Sequence, residues 1–108
     1  MKNVEPVMKR KYDLLTAKDR KALPALFECG DDPIVHVKWF SPWSGWDWYV
    51  TSFNGDDICY GLVRGHETEW GCFSLSEIDA LRMEHGNLAV ERDILFTPKR
   101  ISEIAVGS

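Results

Sequence analysis

From Ile34 onward, apolar and polar positions alternate with a period of two. Ile34-Val35-His36-Val37-Lys38-Trp39-Phe40 is β-branched and aromatic, which predicts a strand with Val35, Val37 and Trp39 on one face and Ile34, His36, Lys38 and Phe40 on the other. Ser41-Pro42-Trp43-Ser44-Gly45 interrupts it as a loop, and Trp46 to Phe53 forms a second predicted strand. Asn54-Gly55-Asp56-Asp57 then reads as a hairpin turn into a third strand, Ile58 to Arg64. A four-residue loop faces Phe53 with Ile58, Thr51 with Tyr60, Tyr49 with Leu62, and Asp47 with Arg64. That register joins apolar to apolar and acid to base, whereas a two-residue loop sets Phe53 against Asp56. Arg64-Gly65-His66-Glu67 turns the chain again, and Thr68 to Phe73 is the fourth strand of a meander.

Helical spacing appears on either side of these strands. Thr16-Ala17-Lys18-Asp19 has the form of a capping box with Asp in the third helical position, which predicts a short helix from Ala17 to about Leu23, before Pro24. Ser74-Leu75-Ser76-Glu77 is a second capping box. Leu75, Ile78 and Leu81 follow it on one stripe, so a helix is expected from Leu75 to about Met83, ending before Gly86. Glu91 to Phe96 reads as a last strand, and the Ile101–Ile104 spacing after Pro98 as a terminal helical turn. The fold class is therefore α+β: an antiparallel β-meander of about four to five strands with two or three short helices packed on it. Residues 1–13 carry no sustained period and read as a basic, flexible N-terminal arm; residues 14–108 form a single domain.

Composition fits this picture. The 108 residues suit one compact domain, with 44% hydrophobic and 28% charged residues. No apolar run approaches the roughly 20 residues of a membrane helix, and no apolar segment of a secretory signal follows the basic start, so a cytoplasmic protein is expected. Cys29, Cys59 and Cys72 are odd in number and lack CxxC spacing, which predicts free thiols. They are scattered with His36, His66 and His85, so neither a metal site nor a cofactor is expected. No phosphate-cradling glycine motif is present.

Charge changes the picture more. The net charge is −4, yet residues 1–27 hold seven Lys/Arg against three acids, residues 28–98 four against thirteen, and residues 99–108 two against one. The thirteen aromatic residues concentrate in the acidic part: Trp39, Phe40, Trp43, Trp46, Trp48 and Tyr49 stand close together. Strand alternation sends Trp46 and Trp48 to one face and Tyr49 to the other. Trp39, Trp48 and Trp70 are expected in the core. Trp43, in a Pro- and Gly-containing loop, is the foremost candidate for contact with a partner.

The segments FSPWSGWDWYVTSF, GLVRGHETEWGCFSLSEI and ERDILFTPKRISEI, in that order, resemble the small bacterial family catalogued as domain of unknown function 2958, over roughly Leu14 to Ile104. The resemblance implies a single-domain cytosolic protein of plasmids, phages and other mobile elements, with accessory roles that include defence against host immunity. It implies no catalytic residue or cofactor.

Three functional readings follow. The first is a non-enzymatic protein-binding module, an inhibitor of a host defence complex of the anti-CRISPR or anti-restriction type. Its acidic, aromatic surface is drawn from Trp43, Trp46, Asp47, Tyr49, Asp56, Asp57 and Arg64, and its partner is a basic protein or nucleoprotein surface. The second is a small hydrolase or transferase centred on His66 and Glu67 with Glu69, a histidine among carboxylates at a turn. The third is a DNA-associated regulator using the basic residues Lys9, Arg10, Lys11, Lys18, Arg20 and Lys21. Direct nucleic-acid binding fits less well, because base-stacking surfaces surround their aromatics with positive charge.

Overall fold

The computed structural model describes residues 9–104. The fold is α+β, built on a five-stranded antiparallel sheet and a small two-stranded one, with two short helices and two 3-10 turns. In chain order the elements are α1 (Ala17–Ala22), β1 (Ile34–Val35), β2 (Val37–Phe40), β3 (Asp47–Phe53), β4 (Ile58–Arg64), β5 (Thr68–Ser74), α2 (Leu75–Ala80), β6 (Glu91–Arg92) and β7 (Lys99–Arg100). The large sheet runs β5-β4-β3-β2-β6, and β1 pairs with β7.

The capping box of α1 is complete. Thr16 Oγ1 accepts from the Asp19 amide at 3.1 Å, and Asp19 Oδ2 accepts from the Thr16 amide at 2.9 Å. Asp19 also receives Arg92, fastening the helix to the far end of the chain. Ser74 caps α2 by accepting from the Glu77 amide, but the helix stops at Ala80, short of Met83. Leu75 and Ile78 are buried while Leu81 is 49% exposed, so only two members of the expected stripe reach the core.

The β3–β4 register agrees with expectation at one end and departs at the other. Asp47 faces Arg64 and Tyr49 faces Leu62, but between Val50 and Ser52 the pairing slips by one residue. Ser52 then stands opposite Tyr60, and Phe53 opposite Cys59, in place of the expected Thr51–Tyr60 and Phe53–Ile58 pairs. Thr51 is the inserted residue, and its hydroxyl donates to the Tyr60 carbonyl at 3.0 Å, which satisfies a polar group that is fully buried. Asn54 closes the enlarged turn, its Oδ1 accepting from the amides of Asp56, Asp57 and Ile58, while Gly55 takes a φ of 86°.

A second irregularity corrects the first strand. The His36 amide donates to the Val50 carbonyl although Val37 is the residue aligned with Val50, so the strand is broken between β1 and β2. Val35 is thereby turned to the opposite face from Val37 and Trp39. The expected last strand, Glu91 to Phe96, is shortened to Glu91–Arg92, because the chain turns where Asp93 Oδ1 accepts from the Leu95 amide and the Phe96 amide donates to the Asp93 carbonyl. The terminal turn, Ile101–Glu103, follows β7 and not Pro98 directly.

These shifts give the sheet two covered faces. On one, Leu14, Leu15, Leu23, Val37, Trp39, Trp48, Val50, Phe53, Cys59, Leu75, Ile78 and Val90 form the main core. Trp39 is fully buried and its Nε1 donates to the Leu14 carbonyl at 2.8 Å. On the other, Val35, Tyr49 and Leu62 are roofed by Phe96, Ile101 and Ile104. Each fully buried aliphatic side chain, Val37 or Val50 for instance, contributes about 1.5–3 kcal/mol. Gly61 fits β4 to β3: a Cβ there would lie 1.9 Å from the Tyr49 carbonyl oxygen.

Candidate protein-contact surface

The loop between β2 and β3 is tied at its base. The Ser41 amide donates to the Trp46 carbonyl at 2.9 Å and the Gly45 amide to the Ser41 carbonyl at 3.0 Å, with Gly45 at a φ of 78° that favours glycine. This holds Trp43 out from the sheet. Its indole is 53% exposed, yet Nε1 donates to the Leu88 carbonyl at 2.7 Å. Beside it lies a hollow of about 320 Å³ lined by Trp43, Met83, Glu84, His85 and Asn87. The segment forming the hollow is folded on itself, the Met83 amide donating to the Asn87 carbonyl at 2.7 Å, and Met83 and Leu81 are both exposed.

The other residues singled out in the sequence have varied surroundings. Trp46 is half-buried; it packs against Trp48 and meets the His66 ring edge-on at 5.5 Å, over Gly65. Tyr49 is 4% exposed and Asp47 8%, so neither presents a contact surface. Asp47 lies 3.0 Å from Arg64 and 4.0 Å from Lys38, and Lys38 reaches on to Asp93 at 3.7 Å. Burial, chiefly, and then the Asp47 charge push the Tyr49 hydroxyl above its ordinary pKa. Asp57 is engaged in folding: it accepts from the Ser74 hydroxyl at 2.5 Å and from the Ser76 amide at 2.7 Å, which hold its carboxyl below the usual range. Asp56 is exposed in the turn.

His66, Glu67 and Glu69 are all exposed, and the turn carrying them is closed by the Gly65 amide donating to the Glu67 carbonyl. The His66 ring packs against Trp46 in a T-shaped pair. Among the basic residues, Arg10 has a side chain only 8% exposed, paired with Asp79 and donating to the Val90 carbonyl at 2.6 Å. Residues 9–13 of the expected arm are therefore anchored at Arg10, while residues 1–8 lie outside the described ones. Arg20 lies over the Phe53 ring, and Lys9, Lys11, Lys18 and Lys21 are exposed. Among the described residues no group of three His, Cys, Asp or Glu is placed to hold a metal ion, and no helix is long and apolar enough to cross a membrane.

Sequence reasoning missed one aromatic group. Trp70, expected in the core, is 42% exposed and stacks on Tyr60 with centroids 5.7 Å apart; Tyr60 meets Phe27 edge-on at 4.9 Å. Phe27 is 67% exposed and has a φ of 65°, a left-handed conformation that is costly for a bulky residue. The signal in the sequence was weak, since Leu26-Phe27 lacks the glycine that normally marks such a turn.

A family model described as "Protein of unknown function (DUF2958)" matches residues 8–106. The chain belongs to the DUF2958 family. The match takes in every element of the fold, from α1 to the last 3-10 turn, and both cores. Comparison with curated proteins and with solved structures gave no match. The DUF2958 family therefore supplies a fold-sized unit without an assigned chemistry, and the side chains have to carry the functional reading.

Proposed function

We propose that this DUF2958 protein is a non-enzymatic protein-binding module whose central contact residue is Trp43. The observation that carries the reading is that a half-exposed indole is fixed by a 2.7 Å hydrogen bond to Leu88. A free surface tryptophan loses rotamer freedom when it docks; this one is already held, so less of the contact energy is lost to ordering. Trp43 offers a flat apolar ring beside a hollow edged by Met83 and Glu84, the combination of aromatic anchor and polar rim found at binding hot spots. The excess of nine negative charges over residues 28–98, thirteen acids against four bases, favours a basic protein or nucleoprotein partner and speeds its approach. The mobile-element setting implied by the family resemblance suits an inhibitor of a host defence complex.

The test is capture of host proteins by the intact chain and by Trp43→Ala, with an Asp56→Lys variant as the electrostatic probe. Asp57 is unsuitable for charge reversal because it holds α2 in place. The expected result is loss of the partner with Trp43→Ala and a salt-sensitive weakening with Asp56→Lys, both variants remaining folded. Unchanged capture by Trp43→Ala would overturn the reading.

A further inference from the structure

The two edges of the large sheet are unequal. At one edge, β6 is two residues long. At the other, β5 runs for seven residues, Thr68–Ser74, and its ladder with β4 continues through seven successive pairs without a bulge. Among the described residues no strand pairs with its outer side. Alternate backbone N–H and C=O groups along that side lack a strand partner, and the segment Thr-Glu-Trp-Gly-Cys-Phe-Ser contains none of the Pro, Lys or bulge devices that usually blunt an edge.

Three side-chain features give this edge a chemical preference. Glu67 and Glu69 are exposed along it and Glu77 lies just beyond it, while the neighbouring Arg64 is paired with Asp47. On the face shared with Glu69, Gly71 leaves a notch: apart from Gly71 itself and its two chain neighbours, no atom lies within 4 Å of where its Cβ would be. On the opposite face, Trp70 presents a half-exposed ring stacked on Tyr60. An added strand is thus matched by a basic residue opposite Glu69, a bulky aromatic residue filling the space over Gly71, and a guanidinium over the Trp70 ring.

We infer that the outer edge of β5 accepts an extended, basic peptide segment as a sixth strand, at a site separate from Trp43. Main-chain hydrogen bonds supply affinity, and the alternation of Glu69, Trp70 and Gly71 supplies register and selectivity. A second copy of this chain is the poorer occupant, because it would bring another Glu67 and Glu69 to an edge that is already negative.

The probe is a capped peptide, Thr-Val-Thr-Tyr-Arg-Lys-Thr-Lys, written to lie antiparallel with its Tyr opposite Gly71 and its first Lys opposite Glu69. Binding is followed by amide exchange and Trp fluorescence on the full chain at low salt. The expected result is saturable binding, with exchange of outward-facing β5 amides slowed about tenfold or more. Glu69→Lys should weaken affinity about fivefold, and a peptide N-methylated on the edge-facing amides should fail to bind. Trp43→Ala should bind the peptide as the parent does. Equal binding by the N-methylated peptide would overturn the proposal, as would indifference to Glu69→Lys. So would a dimer of the chain alone whose β5 amides are already protected, since the edge would then belong to a second copy.

Discussion

Asp47 stands directly opposite Arg64 across β3 and β4, with its carboxylate 3.0 Å from the guanidinium, and the two partners are unequally exposed. The Asp47 side chain is 11% exposed and that of Arg64 42%. Removing Arg64 leaves a nearly buried carboxylate with only Lys38, at 4.0 Å, to compensate. Removing Asp47 leaves a guanidinium that reaches water. Arg64→Ala should therefore cost about 1–3 kcal/mol and Asp47→Ala about 1 kcal/mol or less. Urea unfolding of the two variants and the double variant checks this, and equal costs would show that burial does not set the asymmetry.

Gly61 and Gly71 face each other in the ladder yet differ in surroundings. Gly61→Ala forces a methyl group onto the Tyr49 carbonyl and should destabilise by about 3 kcal/mol or prevent folding. Gly71→Ala enters open space and should change stability by no more than about 0.5 kcal/mol. Thermal denaturation of this matched pair tests whether β4, and not β5, is the strand whose backbone approach is fixed.

Asp57 ties the β3–β4 turn to the start of α2, and its pKa is lowered by the Ser74 hydroxyl, then by the Ser76 amide. A carboxyl with a depressed folded-state pKa stabilises the fold above its unfolded value, 3.8, and that contribution fades as pH falls through the folded-state value. Asp57→Asn should lower the urea midpoint at neutral pH and flatten its decline below pH 3.8. A parent and variant whose midpoints run parallel on acidification would count against the assignment.

The three thiols should separate cleanly in alkylation. Cys72 is exposed and Cys29 half-buried, whereas Cys59 lies in the main core with its pKa pushed up to about 12, chiefly by burial. Iodoacetamide followed by mass spectrometry should modify Cys72 readily and Cys59 only when the chain unfolds. Rapid native labelling of Cys59 would mean that β4 opens locally.

The elements most legible in the sequence were those with a chemical mark at each end. Thr16 and Asp19 announced α1, and Asp47 with Arg64 fixed the open end of the β3–β4 hairpin. The bulge at Thr51 had no such mark, because every residue of β3 is buried and no polar side remains to reveal a change of phase. The break at His36 was hidden for a similar reason: Val35 and Val37 are both buried, but in different cores. Trp70 misled because a large aromatic ring usually signals burial, and only its place on an edge strand leaves it exposed. Among candidate contact residues, the exposure of Trp43 followed from its loop. The burial of Tyr49 and Asp47 did not, since it depends on the second covering layer and on β1–β7 pairing through Lys99 and Arg100, two polar residues with no strand pattern.

The covering of both sheet faces also bears on how quickly the chain folds. Arg92 and Asp19 are 73 residues apart in sequence, and Arg10 and Asp79 are 69 apart. The roof over Val35, Tyr49 and Leu62 comes from residues beyond the meander. The hairpins form from neighbouring segments, but neither layer closes until distant segments have met, and each such loop has to be closed before its contacts give anything in return. A topology of this kind belongs with domains that fold in milliseconds to seconds. Closure by the two distant flanking segments, and not formation of the local hairpins, is the step expected to limit its rate.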